Sequence, residues 1–80
     1  MLEVFELSYQ LIEALREPVK VLQRKDPDLA RPLRKAGPSV SLNLAEGEGR
    51  VGKDRFQHWR ISSGSAREVK SALRVALAWG

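Results

Sequence analysis

Apolar residues recur along this chain at intervals of three and four, and that spacing predicts three helices. In the first stretch Phe5, Tyr9, Ile12, Leu15, Val19 and Leu22 fall on one side of a helix, with Leu7 and Leu11 widening the stripe. Pro18 lies inside the stripe. A proline lacks the backbone donor and clashes with the carbonyl four residues back, so a kink or a restart is expected there. In the second stretch Leu29, Leu33, Ala36, Val40 and Leu44 keep helical spacing. Asp26 before Pro27 reads as its start: a capping carboxylate, then a proline at the first helical position, where the missing N–H costs nothing. Pro32 is tolerable near that first turn, whereas Gly37-Pro38 predicts a bend or short break near Ala36. Gly47 and Gly49 are expected to end the helix. The third stretch begins after Val51-Gly52 with Asp54 in its first turn, where a carboxylate suits the positive end of the helix dipole. Ile61, Ser65, Ala66, Glu68, Val69, Ala72, Leu73, Val75, Ala76 and Trp79 share one broad face of it.

No strand-period alternation of useful length, internal repeat or linker interrupts this pattern. The expected fold is all-α: an antiparallel up-down helical bundle in a single domain, 1–80, with helices at about 3–24, 28–47 and 53–79. An 80-residue chain rarely draws more than about 3–5 kcal/mol from its core alone. Without cysteine it has neither a disulfide nor a Cys-based zinc site. Good helix packing, a partner or self-association has to supply the rest. The longest apolar runs are only a few residues, too short to span a membrane. The acids of Met1-Leu2-Glu3-Val4-Phe5-Glu6 stand where an export signal carries basic residues. A cytoplasmic location is expected.

Charge changes the picture. Residues 1–30 hold four basic and six acidic side chains, residues 31–80 ten and four, within an overall net charge of +4. A basic second half fits an anionic partner, nucleic acid being the commonest, or else a solvated surface that is simply rich in Lys and Arg. Lys53, Arg60, Arg67 and Arg74 repeat every seven residues with Lys70 beside them, opposite the apolar face of the third helix. Such a row gains from phosphate neutralisation. Arg34, Lys35 and Arg50 are candidates to extend it. Phe56 and Trp59 border the row and are either base-stacking platforms or core.

Two segments carry unusual chemistry. In Ser39-Val40-Ser41-Leu42-Asn43-Leu44-Ala45-Glu46-Gly47-Glu48-Gly49-Arg50, Asn43 falls where a core residue is expected, and Glu46 and Arg50 form an i,i+4 pair. An unpaired buried amide costs about 1–3 kcal/mol, so Asn43 reads as a polar latch between helices, or as part of a ligand site; the latch is the favoured reading. In Ser63-Gly64-Ser65-Ala66-Arg67-Glu68-Val69, Gly64 costs about 1 kcal/mol in mid-helix and is expected to allow a close helix approach. Glu68 is expected to lean toward the apolar face and meet Arg50, Arg60 or the Ser65 hydroxyl. His58 is the one histidine, and no Glu-x-x-His pair occurs, so a di-iron site is excluded. Asp54 and His58 alone are a weak pair of ligands. No catalytic triad, phosphate-cradling loop or cysteine nucleophile is visible, and neither enzymatic activity nor a metal or other cofactor is expected.

These two segments carry a resemblance. Ser39-Val40-Ser41-x-Asn43-Leu44-Ala45-Glu46-Gly47-x-Gly49-Arg50, then Phe56, Arg60-Ile61 and Gly64-Ser65-x-x-Glu68, with Leu33-Arg34-Lys35-Ala36 upstream, resemble the four-helix-bundle family encoded within 23S rRNA intervening sequences. The accessory variability protein of diversity-generating retroelements is a relative of that family. The resemblance covers roughly residues 7–80. It implies a small up-down bundle that assembles into a ring-like homopentamer with a basic surface; nucleic-acid and reverse-transcriptase binding belong to the retroelement relative. It implies no catalytic residues. This chain has Ser41 where the family often has proline, and carries Pro38 three residues earlier. It holds three helices of the family's four, so either the fourth is absent from this copy or a neighbour covers the exposed face. The expectation is a non-enzymatic, self-associating bundle that binds nucleic acid through its basic helix face. The alternative is a protein-interaction module that docks an acidic partner, such as a reverse transcriptase, without touching nucleic acid.

Overall fold

The computed structural model describes residues 2–80. Three helices account for nearly all of them: α1 (Leu2–Lys25), α2 (Pro27–Glu48) and α3 (Gly52–Trp79). The fold is an all-α up-down bundle. Asp26 alone separates α1 from α2. Its carboxylate accepts the Leu29 N–H at 3.2 Å, and Pro27 takes the first helical position, so a cap and a proline reverse the chain in one residue.

Both helices run unbroken through their prolines. No break separates residues 36 and 39, and no restart occurs at Pro18; of the alternatives the sequence leaves at each proline, a bend or kink within a continuous helix is the one compatible with this. Gly37 explains the tolerance at Pro38. The residue before a proline is pushed out of the helical region partly by its own Cβ, and glycine has none. The carbonyls that Pro18, Pro32 and Pro38 leave unpaired belong to Ala14, Asp28 and Arg34, all exposed residues, so water can satisfy them. Gly47 does not end α2. It is buried inside the helix, and the chain leaves α2 at Gly49 with a negative φ of −82°. The positive-φ residues are Gly52, at +60°, where α3 begins, and Gly80, at +87°, just past its end.

α2 is the central plank. It packs on α1 along one side and on α3 along the other, whereas no Cα of α1 comes within 8 Å of one in α3 among the described residues. The result is a slab of 42 × 20 × 16 Å, as long as the ~42 Å of a 28-residue helix. Leu15, Leu33, Ala36, Val69 and Ala72 form the core, with Leu11, Val19, Leu22 and Leu73 packed against it. The buried line of α3 runs through Ser62, Val69 and Ala72. That line is rotated from the face the sequence suggests: Ile61, Glu68, Val75 and Trp79 are exposed.

Candidate nucleic-acid interface

Lys53, Arg60, Arg67 and Arg74 sit one heptad apart on α3, so their side chains leave the helix in nearly one direction, about 10 Å apart along it. All four and Lys70 are exposed, and none takes part in an ion pair among the described residues. A row of unneutralised cations concentrates positive potential along one face of α3. The other candidate cations stand elsewhere. Arg34 lies on the α1–α2 side, where it shares an apolar hollow with Arg16 and Lys20. Lys35 is exposed on α2. Arg50, in the turn before α3, is held between Glu46 at 3.6 Å and Asp54 at 3.8 Å, so its charge is largely met within the molecule.

Phe56 and Trp59 divide between the two roles left open for them. Trp59 is half-buried against Gly47, where a Cβ would lie 2.6 Å from the indole Nε1. Phe56 is 58% exposed beside the cationic row and meets Trp59 edge-on, with ring centroids 6.0 Å apart. Of these two rings, Phe56 is the one that stays exposed.

Behind this face a polar seam fixes how α3 sits on α2. The Asn43 amide donates to the Ser39 carbonyl and to Ser39 Oγ, both at 3.0 Å. With both amide protons so engaged, Oδ1 is the acceptor toward His58 Nδ1 at 3.1 Å. One turn back, Ser65 donates to Ser39 Oγ at 2.8 Å, and Ser62 donates to the Val40 carbonyl at 2.8 Å. Asn43 thus bridges helices, in line with the latch reading. Asn43→Ala strands the His58 ring nitrogen and is expected to lower stability by about 1 kcal/mol. Urea unfolding followed by circular dichroism measures this, and an unchanged midpoint would remove the latch role.

Two site readings are corrected. Glu68 is exposed and takes part in no ion pair or side-chain hydrogen bond among the described residues; the Ser65 hydroxyl turns to Ser39 instead. Gly64 has open space where a Cβ would stand, so it permits no close approach; that role falls to Gly47. Two contributors were missed. Arg55 donates from Nε to the Gly47 carbonyl at 3.3 Å and the Arg50 carbonyl at 2.9 Å, and its guanidinium lies 5.6 Å from the Trp59 ring centre. The sequence does not mark it: Arg55 falls seven residues before Ser62, and only the Ser62–Val40 bond shows that this side of α3 faces α2. Ser8 and Ser41, both buried, join α1 to α2 at 2.9 Å; serines between apolar neighbours give little sign of a partner.

Among the described residues no three His, Asp or Glu side chains cluster as metal ligands, and no helix is long and apolar enough to cross a membrane. The whole chain, residues 1–80, matches the family model described as 23S rRNA-intervening sequence protein. No curated protein and no solved structure matches it.

Proposed function

Because the chain belongs to the 23S rRNA-intervening sequence protein family, we propose that it is a non-enzymatic, self-associating helical protein of the cytoplasm that binds RNA or DNA along the outer face of α3. The observation that carries this reading is the row Lys53, Arg60, Arg67 and Arg74 with Lys70, exposed and without an acidic neighbour in contact. Each cation laid against a phosphate releases a bound counterion, so affinity falls steeply with salt and carries little sequence preference. Phe56, at the edge of the row, adds a ring on which a single-stranded base can stack. The Asn43–His58 and Ser62–Val40 bonds serve this function indirectly, because they hold the row at a fixed attitude to the rest of the slab.

The test is a gel shift and a salt titration with purified protein and a short RNA. Arg60→Glu/Arg67→Glu is expected to weaken binding by about 100-fold at low salt and to reduce the slope of log affinity against log salt by about 2. Equal affinity for the variant and the parent chain would sink the proposal. No shift at all with purified protein would replace it with docking of the basic face on an acidic protein.

A further inference from the structure

A second cluster of cations lies away from α3. Between α1 and α2 a hollow of about 430 Å³ opens to solvent, and no residue of α3 lines it. Its floor is apolar: Leu15 and Leu33 are buried beneath it, with Ile12 and Val19 half-buried on the α1 side. Its rim is basic. Arg16 and Lys20 stand one turn apart on α1, and Arg34 stands across from them on α2, all three exposed. No carboxylate lines the hollow.

The antiparallel pairing of α1 and α2 brings the three cations together. Ser8 meets Ser41, and Leu15 Cδ1 lies 3.2 Å from where a Cβ of Gly37 would stand. Arg34 is therefore about level with Pro18, between the heights of Arg16 and Lys20. Neither arginine takes part in an ion pair among the described residues. Lys20 pairs with Glu17 at 3.5 Å, with both side chains exposed, and such a pair yields readily to a better-placed carboxylate. Three like charges around one hollow raise the positive potential above its apolar floor.

We propose that this hollow binds a small amphiphilic anion, an alkyl carboxylate whose tail lies on the floor and whose head sits among Arg16, Lys20 and Arg34. Both halves of the ligand are specified. The cations require an anionic head, and the guanidinium fork of an arginine matches a carboxylate. The apolar floor requires a tail, which a phosphodiester backbone does not carry. Size chooses between a small molecule and a peptide. The volume lies within the range of small-molecule sites, whereas a docked helix is about 10–12 Å across and would overfill it. The floor runs from Ile12 to Val19, about 10 Å along α1, which is room for a single extended chain. The inference needs neither nucleic-acid binding nor any particular oligomeric state.

Calorimetric titration of the full chain with decanoate, below its micelle concentration, tests this. Acetate has the head without the tail, and decyltrimethylammonium has the tail with the opposite charge. Decanoate is expected to bind at least about tenfold more tightly than either, since each buried methylene contributes up to about fourfold. Amide shifts on binding are expected at residues 12–20 and 33–38 and not at 60–74. Arg16→Glu/Arg34→Glu, at two exposed positions, is expected to lose about tenfold in decanoate affinity with unchanged helix content. Arg60→Glu/Arg67→Glu is expected to leave that affinity unchanged, which separates this site from the α3 row. Acetate or decyltrimethylammonium binding as tightly as decanoate, shifts confined to α3, or full affinity in Arg16→Glu/Arg34→Glu would each overturn the proposal. So would retention on decanoate-containing vesicles without binding of the free anion, which would mean a membrane surface instead. No uptake, in an assembly that Arg16→Glu/Arg34→Glu disperses, would overturn it in favour of a second copy of the chain in the hollow.

Discussion

Leu33→Ala is expected to lower the stability of this protein by about 3 kcal/mol, most of what so small a core supplies. Among the described residues Leu33 is the one large side chain that is fully buried, at 1% exposure. Its position explains its weight. It projects from α2 between Leu15 of α1 and Val69 of α3, so a single side chain fastens both outer helices to the central one. α1 and α3 do not meet through their backbones, so the packing of both against α2 depends on Leu33 and its smaller core neighbour Ala36. Truncation loses the transfer free energy of the removed carbons and leaves a cavity under two grooves. Urea unfolding by circular dichroism is the measurement. A loss under about 1 kcal/mol would mean that the helices close over the gap and that the core is less dependent on this residue than its burial implies.

The three helices were legible because their apolar residues keep one period over long stretches and because Asp26-Pro27 is a start signal with a mechanism. The interruptions were not legible in the same way. Proline chemistry gives the local cost of Pro18 and Pro38, but in a small bundle packing decides whether a helix continues. Ala36, Gly37, Val40 and Ser41 are all buried on either side of Pro38, and they hold the helix through it. The face of α3 was misread for a related reason. An apolar wheel points to Ile61, Val75 and Trp79, yet Ser62 takes the centre of the interface because its hydroxyl has the Val40 carbonyl to bond. Periodicity weighs hydrophobicity and cannot see a partner on another helix. The same limit hid the Ser8–Ser41 contact and the role of Arg55. The cationic row, by contrast, was plain in the sequence, since exposed heptad charges depend on one helix alone.

Gly47→Val is expected to cost about 3 kcal/mol, and the reason is local crowding rather than backbone conformation. Gly47 is helical and its φ is not positive, so any residue could adopt its backbone. What no other residue can do is share its space. A Cβ there would lie 2.6 Å from Trp59 Nε1, 2.7 Å from Trp59 Cδ1 and 3.3 Å from the Arg55 carbonyl oxygen. The indole cannot simply swing away, because Phe56 stands edge-on to it and the Arg55 guanidinium lies over its ring. Nor can the start of α3 retreat without losing the Arg55 bond to the Gly47 carbonyl. Overpacking of this kind costs about 1–3 kcal/mol for one inserted group, and valine adds two methyls beyond the Cβ. Gly47→Ala regains about 1 kcal/mol of helix propensity against that cost, so its net loss is expected to be much smaller. Thermal unfolding ranks the two variants. Fluorescence follows Trp59 outward, against the constant signal of the exposed Trp79. The decisive measurement is a double-mutant cycle with Trp59→Leu. If crowding is the cause, valine at position 47 costs at least 1 kcal/mol less once the indole is gone. If its cost is unchanged, the glycine is required for some other reason.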